Sequence, residues 1–366
     1  MSQIVDDRLP VLLLTGFLGS GKTTLLNAWL RLPELENAAV IVNEFGEVGI
    51  DHALIASSND NTIELSTGCL CCTVHGDLVE TLRELHVKRA KGEVRAFDRV
   101  IIETTGLADP APVIQALITF PVARRFRLRQ VVTTVDAANG RTTLQNYTES
   151  VKQAAVADDV IITKIDIAEA SALIEEIRAL NPGARLHRST VAQPVLPSQL
   201  MSTNIYDPMT KGADVVDWLN AEAYASGQAK RADHHHDGSD DNHSHSHLAH
   251  THDVNRHDAE IASFCLRYEE PLHWEHVANW LDALVLAHGD QLLRVKGILS
   301  IVGREKPIVV QAVQHLFHPP HELEAWPTDE RESQIVFITR GLARDFVLEV
   351  FDTIRKKRLP ASGPAH

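Results

Sequence analysis

Within eight positions, Gly16-Phe17-Leu18-Gly19-Ser20-Gly21-Lys22-Thr23 combines three glycines, two hydroxyls and a lysine. Such a set has a specific use. Glycines let successive backbone N–H groups turn inward around a phosphate, the ammonium neutralises its oxygens, and a threonine hydroxyl suits magnesium. The apolar run at 11–15 and the amphipathic run at 23–32 predict a strand feeding a helix, whose N-terminal N–H groups add positive potential at the loop. Gly16, Gly19, Ser20, Gly21, Lys22, Thr23 and Thr24 are therefore expected to grip a nucleotide polyphosphate. Glu103 ends another apolar run, at 99–103, and Thr104-Thr105-Gly106 follows it. Its carboxylate is expected on the magnesium (Mg2+) side, acting through a water, and the Gly106 N–H is placed to sense a γ-phosphate. Lys22, Thr23 and Glu103 form the predicted catalytic set.

Thr163-Lys164-Ile165-Asp166 closes the apolar run at 160–163. A carboxylate at Asp166 can accept from guanine N1–H and N2–H₂ together, a donor pair that adenine lacks, so the expected nucleotide is GTP. Lys164 would lie along the base plane, with Thr163 at the position where most guanine-binding loops carry Asn. The bland alternative for Asp166 is a helix cap.

Cys69-Leu70-Cys71-Cys72 places three of the four cysteines in one tetrapeptide. This is a poor disulfide framework and points to reduced thiols, which as thiolates bind a soft or borderline ion such as zinc (Zn2+). A further ligand could come from Glu47, from His75 or from a partner molecule. A packed thiol cluster and a redox pair remain competing readings. Cys265, in an apolar run, reads as core. Between residues 229 and 258 the composition shifts to His, Asp, Ser and Asn, with nine histidines, including His234, His235 and His236. A segment so poor in apolar residues cannot offset its ordering entropy and reads as a flexible linker. It would serve either as a loose metal reservoir or as a solubilising spacer.

The elements that must position these residues follow from periodicity. Strands are predicted at 11–15, 38–43, 99–103, 131–136 and 160–163, mostly rich in Val and Ile as befits strands buried on both faces. Helices are predicted at 23–32, 77–87, 112–117 and 168–180, giving an α/β domain built as a P-loop NTPase on a mostly parallel sheet. Beyond the linker, strands at 262–268, 292–302, 308–316 and 334–339 with helices at 274–286 and 343–354 predict a smaller α+β C-terminal domain. The expected division is 1–228, 229–258, 259–358 and a tail at 359–366.

With 366 residues, 44% of them hydrophobic, the chain can bury a sizeable core, and its 35 basic against 49 acidic residues argue against nucleic acid as a partner. No leader is evident and no uncharged apolar run reaches the roughly 18 residues of a spanning helix, so a cytoplasmic protein with no membrane association is expected. The oligomeric state is open.

GFLGSGKTT (16–24), NEFGEVGID (43–51), GCLCC (68–72), ETTGLADP (103–110) and TKID (163–166) occur in an order that resembles the CobW-type GTPase family of metallochaperones. QLLRVKGILSIVG (291–303) and VVQAVQHLF (309–317) are similar to that family's C-terminal domain. The resemblance implies a GTPase that binds zinc, cobalt or a related divalent metal and delivers it to a client metalloprotein. It implies Cys71 and Glu47 as metal residues, with Cys69 and Cys72 beside them. Some relatives carry Glu where Val42 stands, so one of their ligands is missing here. No residue stands out as the base that activates water, and slow intrinsic turnover is expected. Two other classes compete: a metal-buffering protein that merely binds nucleotide, which would show negligible turnover, and an ATP-dependent small-molecule kinase with a structural zinc, against which Asp166 argues.

Overall fold

The computed structural model describes residues 7–42, 62–64, 73–200, 219–224 and 261–356, with the backbone alone at 62–64 and 73–77. Glu47, Cys69, Cys71, Cys72, His75 as a side chain, and the histidine-rich stretch all lie outside what it describes.

The first half runs β1 (Leu9–Gly16), α1 (Lys22–Trp29), β2 (Ala38–Val42), β3 (Thr62–Glu64), α2 (Thr73–Lys91), β4 (Arg99–Glu103), α3 (Ala111–Ile118), β5 (Phe126–Asp136), α4 (Gly140–Asn146), α5 (Thr148–Val156), β6 (Asp159–Thr163), α6 (Ser171–Leu180), β7 (Arg185–Arg188) and a short α7 (Pro197–Leu200). Its seven described strands are all parallel, in the order β3-β2-β4-β1-β5-β6-β7. The β1 strand sits where the winding direction reverses, and ligands of such sheets bind at the carboxyl ends of strands at that reversal. Val42 pairs with both Glu103 and Glu64, so β2, β3 and β4 end level with one another, while Leu14 pairs with Glu103 and β1 runs two residues further, to Gly16.

Alternate residues of the strands serve opposite faces, as the pleat requires. Leu12, Leu14, Val40, Ile101, Val132 and Ile161 pack under α1 and α7. Leu13, Ile41, Val100, Ile102 and Val131 pack under α2 and α3 on the opposite side. The Trp29 indole N–H donates to the Val195 carbonyl at 2.6 Å, tying the end of α1 to the segment after β7.

The second half contains β8 (Ile261–Tyr268), α8 (Trp274–His288), β9 (Leu292–Leu299), β10 (Ile308–Val313), β11 (Leu316–Phe317), β12 (His321–Glu322), β13 (Ser333–Arg340) and α9 (Arg344–Lys356). Its antiparallel sheet is ordered β11-β10-β9-β13-β8, with β12 also on β10. One face, including Phe264, Val295, Val310 and Phe337, packs on α8 and α9 through Trp280 and Phe351. The other face, with Leu293, Val309, Val336 and Ile338, shares a core with α4, α5 and α6 of the first half. Both faces are therefore covered, and the two halves meet through a common apolar layer.

Buried charge pins that layer. Arg294 of β9 donates to the Val156 carbonyl and pairs with Asp158, while Lys296 Nζ stands 3.5 Å from the same Asp158 carboxylate. Burial pushes the Asp158 carboxyl up, but Arg294 and Lys296 outweigh it and leave the group below its usual range. Burial, helped by the neighbouring Arg294 charge, brings the Lys296 ammonium down to about 7. Burial likewise drops His318 to about 3, so its ring is neutral at physiological pH.

Expected and observed elements differ at instructive places. The fifth strand begins at Phe126 rather than 131, because Arg127 and Arg129 alternate with buried Phe126 and Leu128. The α4 and α5 helices and the polar β7 edge strand are additions to the sequence reading, and the span expected as one strand at 308–316 is a hairpin broken at Gln314-His315.

Candidate functional site

The phosphate loop is shaped by its glycines. Gly19 and Gly21 have φ of 70° and 93°, a region that L side chains rarely adopt, and a Cβ on Gly16 would lie 2.4 Å from the Thr134 carbonyl oxygen. Hydroxyls brace the loop from the neighbouring strands. Ser20 Oγ and Thr134 Oγ1 share a hydrogen bond of 2.7 Å, and Thr163 Oγ1 donates to the Ser20 carbonyl at 2.7 Å. Thr163 thus supports the loop from the end of β6, where its hydroxyl is spent on backbone.

Lys22 is buried, and its Nζ donates to the carbonyls of Gly16 at 2.9 Å and Phe17 at 3.1 Å. The ammonium therefore sits inside the turn where a phosphate group would be held. Thr23 Oγ1 donates to Glu103 Oε1 at 2.7 Å, across 80 residues of sequence, and Glu103 is itself buried. A threonine hydroxyl and a carboxylate in contact make an oxygen-only donor pair of the kind a hard cation such as magnesium takes, so the residues present fit that ion. Thr24, next along, is exposed on the surface of α1.

The loop after β4 lies directly against the phosphate loop. Thr104 N donates to Leu14 O at 3.0 Å and Thr104 Oγ1 to Thr15 Oγ1 at 2.9 Å. Gly106 approaches so closely that an added Cβ would stand 2.5 Å from Leu18 N. Gln153 of α5, fully buried, donates to the carbonyls of Gly106 at 3.1 Å and Ala108 at 3.0 Å. Nothing local in the sequence marks Gln153 for this task.

At the other end of the site, Lys164 has φ 56° and its Nζ is 3.7 Å from Asp136 Oδ1. Asp136, at the end of β5, pairs in register with Thr163 and so neighbours the site, although it belongs to none of the sequence motifs. Asp166 is exposed. It caps no helix: α6 starts after Ala170, and the carboxylate bonded to the Ser171 N–H and hydroxyl is that of Glu169. Ser189 N donates to Ile162 O at 2.8 Å, which brings the segment after β7 alongside Thr163.

The predicted metal residues fall between described anchors. The chain leaves β2 at Val42, returns at Thr62, leaves β3 at Glu64 and re-enters α2 at Thr73. Both departures are level with Glu103 at the carboxyl edge of the sheet. Among the described residues, no group of three or more His, Cys, Asp or Glu side chains stands together as a metal site, and no helix is long and apolar enough to cross a membrane.

A braced glycine loop at the reversal point of a parallel sheet, with a helix opening on its lysine, defines a P-loop nucleotide-binding domain, here carrying an antiparallel-sheet companion. Residues 10–188 match the CobW/HypB/UreG nucleotide-binding domain, and residues 261–355 match the cobalamin synthesis protein CobW C-terminal domain. The chain is 31% identical over 348 residues to the zinc chaperone YjiA of Escherichia coli (strain K12), spanning 94% of this chain and 98% of that protein. It is also 31% identical to the zinc chaperone CobW of Pseudomonas aeruginosa, across 92% of this chain and 88% of the relative. The crystal structure of Zn(II)-bound YjiA GTPase from E. coli matches with a TM-score of 0.67 at 26% identity, covering 95% of this chain and 99% of that one. The chain belongs to the CobW family of P-loop nucleotide-binding proteins.

Proposed function

We propose that this protein hydrolyses GTP and couples the cycle to carrying a thiolate-binding divalent metal, zinc first, to a client metalloprotein in the cytoplasm. The observation that carries the hydrolytic part is the 2.7 Å contact between Thr23 Oγ1 and Glu103 Oε1 beside the buried Lys22 ammonium. Gly16, Gly19, Ser20 and Gly21 supply inward N–H groups to the β-phosphate, and Lys22 exchanges its two carbonyl partners for β- and γ-oxygens. Bound magnesium would supply charge neutralisation on those oxygens, held by Thr23 with Glu103 behind it. Gly106 N–H reports the γ-phosphate. Asp166 accepts from the guanine edge, a role supported by its exposure and by Glu169 taking the helix-start bonds in its place.

Zinc enters as cargo. Cys71 and Glu47, with Cys69 and Cys72, are the ligands we assign, on the strength of the thiol spacing and of relatives that are named zinc chaperones. Their segments depart from the sheet level with Glu103, which supports coupling between the triphosphate and the metal. Release of the γ-phosphate would relax both segments together.

One experiment tests the two halves separately. Full-length protein purified without affinity metals is assayed for GTP and ATP turnover and for bound zinc, beside Thr23→Ala and a variant with Cys69, Cys71 and Cys72 changed to Ser. GTP-selective turnover lost in Thr23→Ala, and zinc lost in the serine variant, are the expected results. Equal use of ATP refutes the guanine assignment, and unchanged zinc content in the serine variant refutes the metal site.

A further inference from the structure

Asp109, three residues beyond Gly106, is where three elements meet. Its Oδ1 accepts from Ala111 N of α3 at 3.0 Å, and its Oδ2 accepts from Lys152 Nζ of α5 at 2.6 Å. Gln314 Nε2 donates to Oδ1 at 3.2 Å and to Oδ2 at 3.0 Å. Gln314 lies 205 residues away, in the C-terminal sheet. The 103–110 loop is thus held by α5, through Lys152 and Gln153, and by a hairpin of the other half of the molecule.

The hairpin is built at a conformational cost. Gln314 and His315 form the two-residue turn between Val313 and Leu316, and Gln314 has φ 51°. Turns of this kind favour Gly, Asn or Asp at such a position, because a Cβ crowds the backbone in the left-handed region. The turn is closed by the Val313–Leu316 pair and anchored to β9 by Gln314 N donating to Leu292 O at 2.8 Å, a backbone bond that any residue but proline makes. The glutamine side chain is not needed for the turn itself, and its amide donates to both carboxylate oxygens of Asp109. A costly backbone that aims one amide at the loop packed on the phosphate loop points to function rather than to packing. The α5 helix is gripped from the same sheet at both ends, by Arg340 Nη1 donating to Thr148 Oγ1 at 3.2 Å and by Arg294 on the Val156 carbonyl.

Resting on the GTPase reading above, we infer that Gln314 is a positioning residue for the 103–110 loop: by tying Asp109 to the C-terminal sheet, it makes the loop's response to the γ-phosphate and the placement of that sheet a single event. Loss of the γ-phosphate contact at Gly106 shifts Asp109, and the Gln314 hairpin must follow or let go. Linkage makes the effect reciprocal, so a client that moves the hairpin also changes affinity for the triphosphate.

The test is amide hydrogen exchange on the full-length protein with GDP and with a nonhydrolysable GTP analogue. Both nucleotides should protect residues 16–24, and amides at 308–317 should exchange at rates differing by about threefold or more between them. Gln314→Gly, whose backbone is at ease at positive φ, should keep the phosphate-loop protection and abolish the hairpin difference. Gln314→Glu, which sets a second carboxylate against Asp109, should abolish it too. Equal hairpin exchange in the two wild-type complexes, or a difference that survives in both variants, overturns the inference while leaving the GTPase reading intact. Absence of protection at 16–24 with either nucleotide overturns that reading, and this inference with it.

Discussion

Replacing Gly106 by alanine asks how tightly the phosphate loop and the 103–110 loop must fit. The added Cβ would lie 2.5 Å from Leu18 N, 2.6 Å from Leu18 Cδ2 and 2.7 Å from Leu18 Cα. The exposed Leu18 side chain can rotate away, but the other two atoms are backbone of a loop already fixed by Ser20 N on Phe17 O and by Lys22. Restoring an ordinary contact of 3.4 Å needs the two backbones to part by about 0.9 Å at the closest pair. Gly106 has no positive φ, so alanine adds a clash without backbone strain. Because the site is an interface between loops, the strain relaxes by displacement, and the cost to global stability stays near the low end of about 1–3 kcal/mol. Function should suffer more. A misplacement of about 1 Å costs on the order of 100-fold in rate, equivalent to about 2.7 kcal/mol on the barrier. Single-turnover GTP hydrolysis should fall by that factor, with GDP affinity within a few-fold of wild type. Gly19→Ala is the contrast: its Cβ meets nothing within 4 Å but sits at φ +70°, so it costs about 1 kcal/mol of backbone strain with no loop separation. Wild-type turnover in Gly106→Ala at matched stability would refute the close-fit argument.

Asp166→Asn should shift preference from GTP toward xanthosine triphosphate, which replaces the N2 donor by an acceptor; unchanged selectivity in a competition assay removes Asp166 from the base site. Asp158→Asn leaves Arg294 and Lys296 buried against a neutral amide, and chemical denaturation should show a loss of about 3–5 kcal/mol; a loss below about 1 kcal/mol would mean the cluster is not desolvated as described. Lys296 makes stability depend on pH. With its folded pKa at about 7 and its unfolded value near 10.5, the unfolded chain holds the extra proton between those limits, so stability rises with pH through that window and the penalty is fully present below it. The slope attributable to this group is at most about 1.4 kcal/mol per pH unit, and Lys296→Met should remove it. Parallel pH profiles for wild type and variant would contradict this.

What the sequence made legible follows from how local each determinant is. Strands at 11–15, 99–103 and 160–163 stand out because both faces are buried and nearly every residue must be apolar. The start of β5 and all of β7 escape that criterion, since Arg127, Arg129 and the Arg185–Arg188 edge are partly solvated. The α5 helix lacks a cap from its own residues and contains Thr, Ser and Val, so its propensity signal is weak; tertiary packing between two sheets fixes it. The turn at Gln314-His315 is invisible because it uses neither Gly nor Asn. Site residues divide the same way. Gly16 to Thr23 stand out because a phosphate loop needs a fixed short spacing, whereas Gln153, Asp109 and Gln314 gain their contacts only from elements brought together across the fold.

The bond from the Trp29 indole to the Val195 carbonyl has a mechanical meaning. It clamps the helix carrying Lys22 and Thr23 to the chain just past β7, so the phosphate loop and that edge of the sheet form one fixed jaw across β1, β5, β6 and β7. The 103–110 loop hangs from β4, on the opposite flank of β1. That loop can then move without loosening the jaw, because the bond that closes the jaw runs through neither β4 nor the segment after it.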